Sequence, residues 1–274
     1  MKPEEGSEIG GGAMSVSAYV RGAGQRGNAR RLRRRCYLLG LVLAAPWPLF
    51  SEVVLAKEGK IFFVAKDGME RQLTASGKDS QPSLSPDSSR VVFIRETDEV
   101  VWSEPVRTTA TQLWVASTSG FPPARLVLAG PIEIDGVRFA EFFCPQFSPK
   151  GGYLYFLINY AATTHAIVRL SLQTGEARFL LAALRYAVVP RGEYEGHLVV
   201  QQRRVKLSGG YYYWFWLMSP DGKDIAAIGP DEDDVRMFFE LYVDGCVPAF
   251  RPGGGVCLDH VGCIEGVPRG LQAP

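Results

Sequence analysis

Several stretches of this 274-residue chain carry residue types that could do chemistry. Near the C-terminus, Cys257-x-x-His260-x-x-Cys263 offers three soft metal ligands. Structural zinc takes four, at established spacings. The same three-cysteine segment, Cys246, Cys257 and Cys263, could instead form one disulfide in an oxidising compartment, with three pairings open, or hold free thiols. Cys144 reads as a small buried hydrophobe, and Cys36 lies far upstream. Asp231-Glu232-Asp233-Asp234 offers calcium-type oxygens. It lacks the alternating spacing of an EF-hand loop and reads as a solvated loop. Glu193 with Glu195, or Asp98 with Glu104, could act as paired carboxylates, but nothing around them singles them out. Leu207-Ser208-Gly209-Gly210 lacks the first glycine of a nucleophile elbow. The three histidines, His165, His197 and His260, share no metal-binding spacing. Tyr211-Tyr212-Tyr213-Trp214-Phe215-Trp216 is either an exposed platform or a strand buried on both faces, and core packing is the expectation. The polar segment 96–112 is long for a hairpin and reads as an exposed loop, with a projecting binding loop as the alternative. No catalytic, cofactor or metal site is therefore expected, no binding residue is assigned, and the chain is expected not to be an enzyme.

The elements that would position these residues begin after an unusual N-terminus. Residues 1–35 hold eight Lys and Arg against three Glu, in a Gly- and Ser-rich context without hydrophobic period, and are expected to be disordered. Met14 is a plausible alternative start. Arg30–Arg35 leads directly into the apolar run Cys36–Ala45, which Pro46 and Pro48 end. Ten apolar residues are too few for a bilayer span, which takes about 20, but fit the apolar region of a signal peptide. Residues 36–56 are thus expected to be a signal helix and cleavage zone, with cleavage after Ser51 or after Ala56. The tail takes the positive charge with it: the rest of the chain has a net charge of −4. That balance argues against nucleic-acid binding, which needs clustered positive charge.

From residue 57 onward the pattern is short β-branched and aromatic runs between Pro, Gly, Asp and Ser. Pro82-Ser-Leu-Ser85-Pro86-Asp87-Ser88 precedes the run Val91–Ile94. Pro145-Gln-Phe-Ser148-Pro149-Lys150-Gly151 precedes Leu154–Ile158 in the same register. A worn third copy is Val189-Pro190-Arg191-Gly192 before His197–Val200. Each is followed by two runs around a glycine: Gly120, Gly175 or Gly222. Ser219-Pro220-Asp221-Gly222, although the best match to the turn motif, thus belongs to the second turn of its unit. The repeats predict a half unit near 61–74, units over about 77–130, 131–184 and 185–230, and a further strand over Met237–Val243. A four-stranded unit with two apolar faces must stack on another, and radial stacking protects its edges.

These motifs, with Leu73-Thr74 and the strand–glycine–strand hairpins, resemble the TolB-like propeller repeat, a relative of the WD-type repeat, over about 57–230. The resemblance implies an all-β chain, here a partial or small β-propeller of three to four four-stranded antiparallel blades over 57–245. A Gly- and Pro-rich irregular tail follows over 246–274. It further implies a periplasmic or secreted module that binds an envelope protein or peptide. Contact with the membrane would occur only during export, and a homo-oligomer could complete the ring. A full TolB propeller looks like six blades, more than are present here. The rival expectations are a propeller hydrolase or lyase using loop carboxylates, and a truncated, degenerate gene product.

Overall fold

The structure, a computed structural model, describes residues 52–103, 106–161 and 164–243. The basic tail, the apolar run Cys36–Ala45 and the tail 246–274 lie outside the described residues. The described residues all belong to one unit, within Pro46–Pro274.

Alternating β-branched and aromatic residues, punctuated by tight turns, give a succession of antiparallel sheets. A three-stranded sheet comes first: β1 (Val53–Lys57), β2 (Lys60–Val64) and β3 (Glu70–Gln72). Blade 1 follows as β4 (Asp79–Leu84), β5 (Arg90–Ser103), β6 (Val106–Ser117) and β7 (Arg125–Ala129). A small hairpin, β8 (Ile132–Ile134) and β9 (Val137–Phe139), leads into blade 2: β10 (Phe142–Phe147), β11 (Tyr153–Ala161), β12 (Thr164–Ser171) and β13 (Ala177–Ala183). Blade 3 is β14 (Arg185–Val188), β15 (Leu198–Val205), β16 (Tyr211–Met218) and β17 (Asp224–Gly229). Each blade is a meander in chain order, and the first strands β4, β10 and β14 touch in series. This is a partial β-propeller, in the three units that the repeats predict.

Successive side chains on a strand point to opposite faces, and here both faces are buried. On β5, Val91 and Phe93 pack with Ile61 of β2, while Val92 and Ile94 pack with Phe142, Phe147 and Phe156 of blade 2. On β11, Leu154 and Phe156 face blade 1, while Tyr155 and Leu157 face Tyr186, Leu198 and Val200 of blade 3. On β16, Trp216 and Met218 face blade 2, and Phe215 and Leu217 face the other way. A strand buried on both sides needs apolar residues at every position, which is why these segments read as continuous runs.

The Ser-Pro turns work through the serine hydroxyl. Ser85 Oγ accepts from Arg90 N at 2.9 Å and Ser148 Oγ accepts from Tyr153 N at 3.0 Å, both at the turn between the first and second strands. Ser219 Oγ accepts from Lys223 N at 3.1 Å in the same manner, but between the third and fourth strands, as the repeat alignment requires.

Buried side chains pin the first strands together. Gln81 and Cys144 occupy equivalent positions before Pro82 and Pro145, both with positive φ at an irregularity in the pairing. Gln81 Oε1 accepts from Cys144 N at 2.7 Å, and Tyr186 Oη donates to Cys144 O at 2.7 Å. Gln146 Oε1 accepts from Val188 N at 2.9 Å. Buried polar groups of this kind are costly unless paired, so these bonds specify how adjacent blades meet. Cys144 is disulfide-bonded, a correction to its reading as a plain buried hydrophobe; no other cysteine lies among the described residues.

The expected last strand is instead a helix. α1 (Glu232–Tyr242) is capped by Asp231, whose side chain accepts from Asp233 N and Asp234 N, while Asp234 reaches back to Asp231 N. The four acids are therefore a helix start, favoured by the positive end of the helix dipole, and not a solvated loop. Val235, Phe238 and Phe239 recur at helical spacing and lie on the face of blade 3 formed by Val199, Phe215 and Leu217. α1 covers the face on which a further blade would stack. At the N-terminal side, Val53–Ala56 belongs to β1, so a cut after Ala56 would remove most of that strand, whereas one after Ser51 would leave it whole.

Candidate interaction surface

The turns fall at two ends of the blades. Arg90 Nη2 donates to Gly151 O, Thr118 Oγ1 to Ser88 O, and Arg169 Nη1 to Pro220 O. The first and third turns of neighbouring blades therefore gather at one end. The hairpins between second and third strands project from the opposite end, joined there by β8–β9.

Two of these hairpins outrun their blades. β5 leaves β4 at the pair Asp79↔Arg95, and β6 leaves β7 at Gln112↔Ala129. The two strands continue alone from Val100↔Thr109 to Ser103↔Val106. The polar residues 96–103 and 106–112 are thus the strands of a ribbon, not a loop. Val100 is 62% exposed and Trp102 60%, and the Arg107 guanidinium lies 5.2 Å from the Trp102 ring centre. Lys78 Nζ holds Asp98 at 2.5 Å at the ribbon's base.

In blade 3, β14 begins opposite Gln201 and β17 ends opposite Phe215. Beyond them β15 and β16 continue to Val205↔Tyr211. The aromatic run here alternates. Phe215 is buried and Trp214 and Trp216 are half-buried, but Tyr211 and Tyr213 are exposed, as are Val205 and Leu207. Uniform core packing is corrected to a strand whose inner half is core and whose tip is a surface. Arg203 stacks 4.5 Å from the Tyr211 ring centre.

Between them, blade 2 contributes Tyr160, exposed and 5.1 Å from the Phe179 ring. His165 packs against Phe143 at 5.6 Å; burial pushes its pKa below the usual imidazole value, which favours a neutral ring near pH 7. Asn159 Nδ2 donates to Glu141 Oε2 at 2.7 Å.

Other candidates from the sequence are not gathered into a site. Glu193 and Glu195 are exposed in the turn at the opposite end of blade 3. Asp98 pairs with Lys78, and Glu104 lies outside the described residues. Ser208 sits at the exposed β15–β16 tip, whereas His197 Nδ1 is 3.1 Å from Tyr194 O before the start of β15. Cys257, His260 and Cys263 lie outside the described residues, and no cluster of three metal-ligating side chains occurs within them. No helix among the described residues is long and apolar enough to cross a membrane.

This end of the chain offers projecting strand edges, flat rings and apolar side chains. Such groups can take up another chain by edge pairing and by ring contact. The ribbons carry no sequence motif of their own. Their signal was length, since blade strands run about five to six residues and these hairpins exceed that.

No family model matches the chain, and no curated protein matches it. Solved structures do. Dipeptidyl peptidase 4 of Porphyromonas gingivalis is similar at 13% identity over 66% of this chain and 31% of its own, with a TM-score of 0.44. A puromycin-hydrolyzing peptidase of Mycobacterium tuberculosis gives 14%, 67%, 31% and 0.43. A putative TolB from Agrobacterium tumefaciens gives 12%, 65%, 76% and 0.33. The chain thus spans about a third of the length of these two peptidases. The TolB-like propeller resemblance holds as a likeness of fold. One expectation is corrected: the chain was expected not to be an enzyme, yet the structures it is similar to include peptidases.

Proposed function

We propose that the chain is an exported propeller module that takes up an extended protein or peptide segment at the ribbon end of its blades. The observation that carries this reading is the pair of projecting ribbons, with Val100, Trp102, Val205, Leu207, Tyr211 and Tyr213 exposed at one end of the stack. Isolated exposed apolar residues need no explanation, but clusters at one end of a scaffold point to an interaction site. The disulfide at Cys144 supports export, because such bonds persist in oxidising compartments. So does the basic segment followed by an apolar run at Arg30–Ala45. The partner in this reading is an envelope protein or a peptide.

The test is crosslinked capture of the tagged chain from its host, beside the double variant Trp102→Ala/Tyr211→Ala. The reading expects a processed chain beginning at Glu52 and a partner that the folded double variant loses at least tenfold. An unprocessed cytoplasmic chain, or capture indifferent to both substitutions, overturns it. Peptide turnover by the same preparation would replace uptake with catalysis.

A further inference from the structure

Cys144 is disulfide-bonded within a single chain, and no other cysteine lies among the described residues, so it is bonded to Cys36, Cys246, Cys257 or Cys263. The setting of Cys144 narrows these four. Plain alternation along β10 would send Phe142 and Cys144 to one face and Phe143 to the other. Instead Phe142 packs toward blade 1, while Phe143 and Cys144 both pack in the seam with blade 3, beside Tyr155, Tyr186 and Leu198. The pairing of β10 with β11 is irregular between Phe143 and Gln146, and Cys144 has φ +52° there. Bulges re-aim side chains, and this one turns Cys144 away from blade 1.

The blade 3 side is where the C-terminal part of the chain lies. α1 ends against the turn between β14 and β15, where a side chain on Gly192 would collide with Tyr242 O. β14 leads into that turn and carries Tyr186, whose hydroxyl donates to Cys144 O. Along this segment Ala187 and Val189 face α1, whereas Tyr186 and Val188 face Cys144. One strand therefore separates the end of α1 from the cysteine. The N-terminal part, which carries Cys36, enters the fold at β1, and β1–β3 pack on the face of blade 1 remote from blade 2.

We propose that Cys144 is bonded to a cysteine of the segment beyond α1, Cys246, Cys257 or Cys263, and that this bond latches the C-terminal segment past β14 to the first strand of blade 2. The bond encloses β11–β17 and α1 in one covalent loop. Blade 3 and α1, at the end of the stack, are thereby stapled to the blade before them. Forming the bond joins the two sulfurs and passes two electrons and two protons to the disulfide of a thiol–disulfide oxidant, which leaves as a dithiol. A reducing dithiol runs the same exchange backwards and frees the latch. This inference is independent of the ribbon end.

The experiment digests the full chain without reduction, after free thiols are blocked in denaturant, and identifies the linked peptides by mass spectrometry. The expected product joins the peptide of Cys144 to one carrying Cys246, Cys257 or Cys263. Hydrogen exchange then reads the latch. On reduction the α1 amides are expected to exchange about tenfold faster, while those of β5 in blade 1 stay unchanged. In Cys144→Ala, reductant is expected to leave α1 exchange as it was. A Cys144 recovered as a blocked free thiol overturns the proposal, and if that chain begins at Glu52 the export reading still stands. A bond from Cys144 to Cys36 overturns both. A bond in the expected place whose reduction leaves α1 exchange unchanged overturns the latch.

Discussion

Gln81 and Cys144 stand at the same position of consecutive repeats, and the side chain of the first accepts the backbone N–H of the second at 2.7 Å. One repeat thus supplies the hydrogen bond that the next repeat's irregular strand leaves open. Gln81→Leu would strand a buried donor. The expected cost is about 1–3 kcal/mol, read as a lower urea midpoint with an unchanged slope.

Asp79 and Arg95 form a second buried contact, with Arg95 Nε 2.6 Å from Oδ1 and Nη2 3.0 Å from Oδ2. Burial alone would raise the carboxyl pKa. The hydrogen bonds from Arg95, Thr74 and Ser76, together with the Arg95 charge, outweigh it and hold the pKa below the usual carboxylate value. The folded pKa is lower than the unfolded one, so this contribution is present above about pH 4 and is lost as pH falls through the folded value. Asp79→Asn is expected to cost about 3 kcal/mol at pH 7. Its deficit relative to wild type should shrink in unfolding measurements at acid pH.

The disulfide at Cys144 should be visible in the energetics. Reduction, or Cys144→Ser, is expected to lower stability by about 2–5 kcal/mol. Thermal unfolding with and without reductant tests this. An unchanged melting temperature would mean that the bond does not form in solution.

α1 is held by Phe239, which is fully buried against blade 3. Phe239→Ala is expected to cost about 3–5 kcal/mol. Gly192→Ala should act at the same junction by another route, because its Cβ would lie 2.2 Å from Tyr242 O and its φ is +89°. Hydrogen exchange of the α1 amides should rise in both variants before that of blade 1.

The repeats were legible in the sequence because Ser85 and Ser148 perform the same turn closure with the same neighbours. The motif is a mechanism, so it survives at low overall similarity between units. The three sheets and their boundaries followed. α1 was misread because Met237–Val243 was judged by its Phe and Tyr content, which favours strands. The spacing of Val235, Phe238 and Phe239 after an Asp-x-x-Asp cap was the better signal. The ribbon of blade 1 was legible as an anomaly of length, not as strands, since polar residues such as Asp98 and its threonines suggested a loop, whereas that of blade 3 was hidden in an aromatic run read as core. On a two-stranded ribbon free of neighbours both faces meet water, so neither alternation nor apolar content is required. The pinning of Cys144 by Gln81 and Tyr186 depends on contacts between distant segments, and no local pattern announces it.

The sharing of each blade's two faces has a consequence for how the chain comes apart. Every core is held in common by only two neighbours, so the sheets form a linear array with nearest-neighbour coupling. Loosening should start at a terminus and travel inward sheet by sheet. Blades 1 and 2, each with a sheet on both sides, would be the last to melt. A lesion in one blade should therefore reach the adjacent blades strongly and those beyond them only through that chain of contacts.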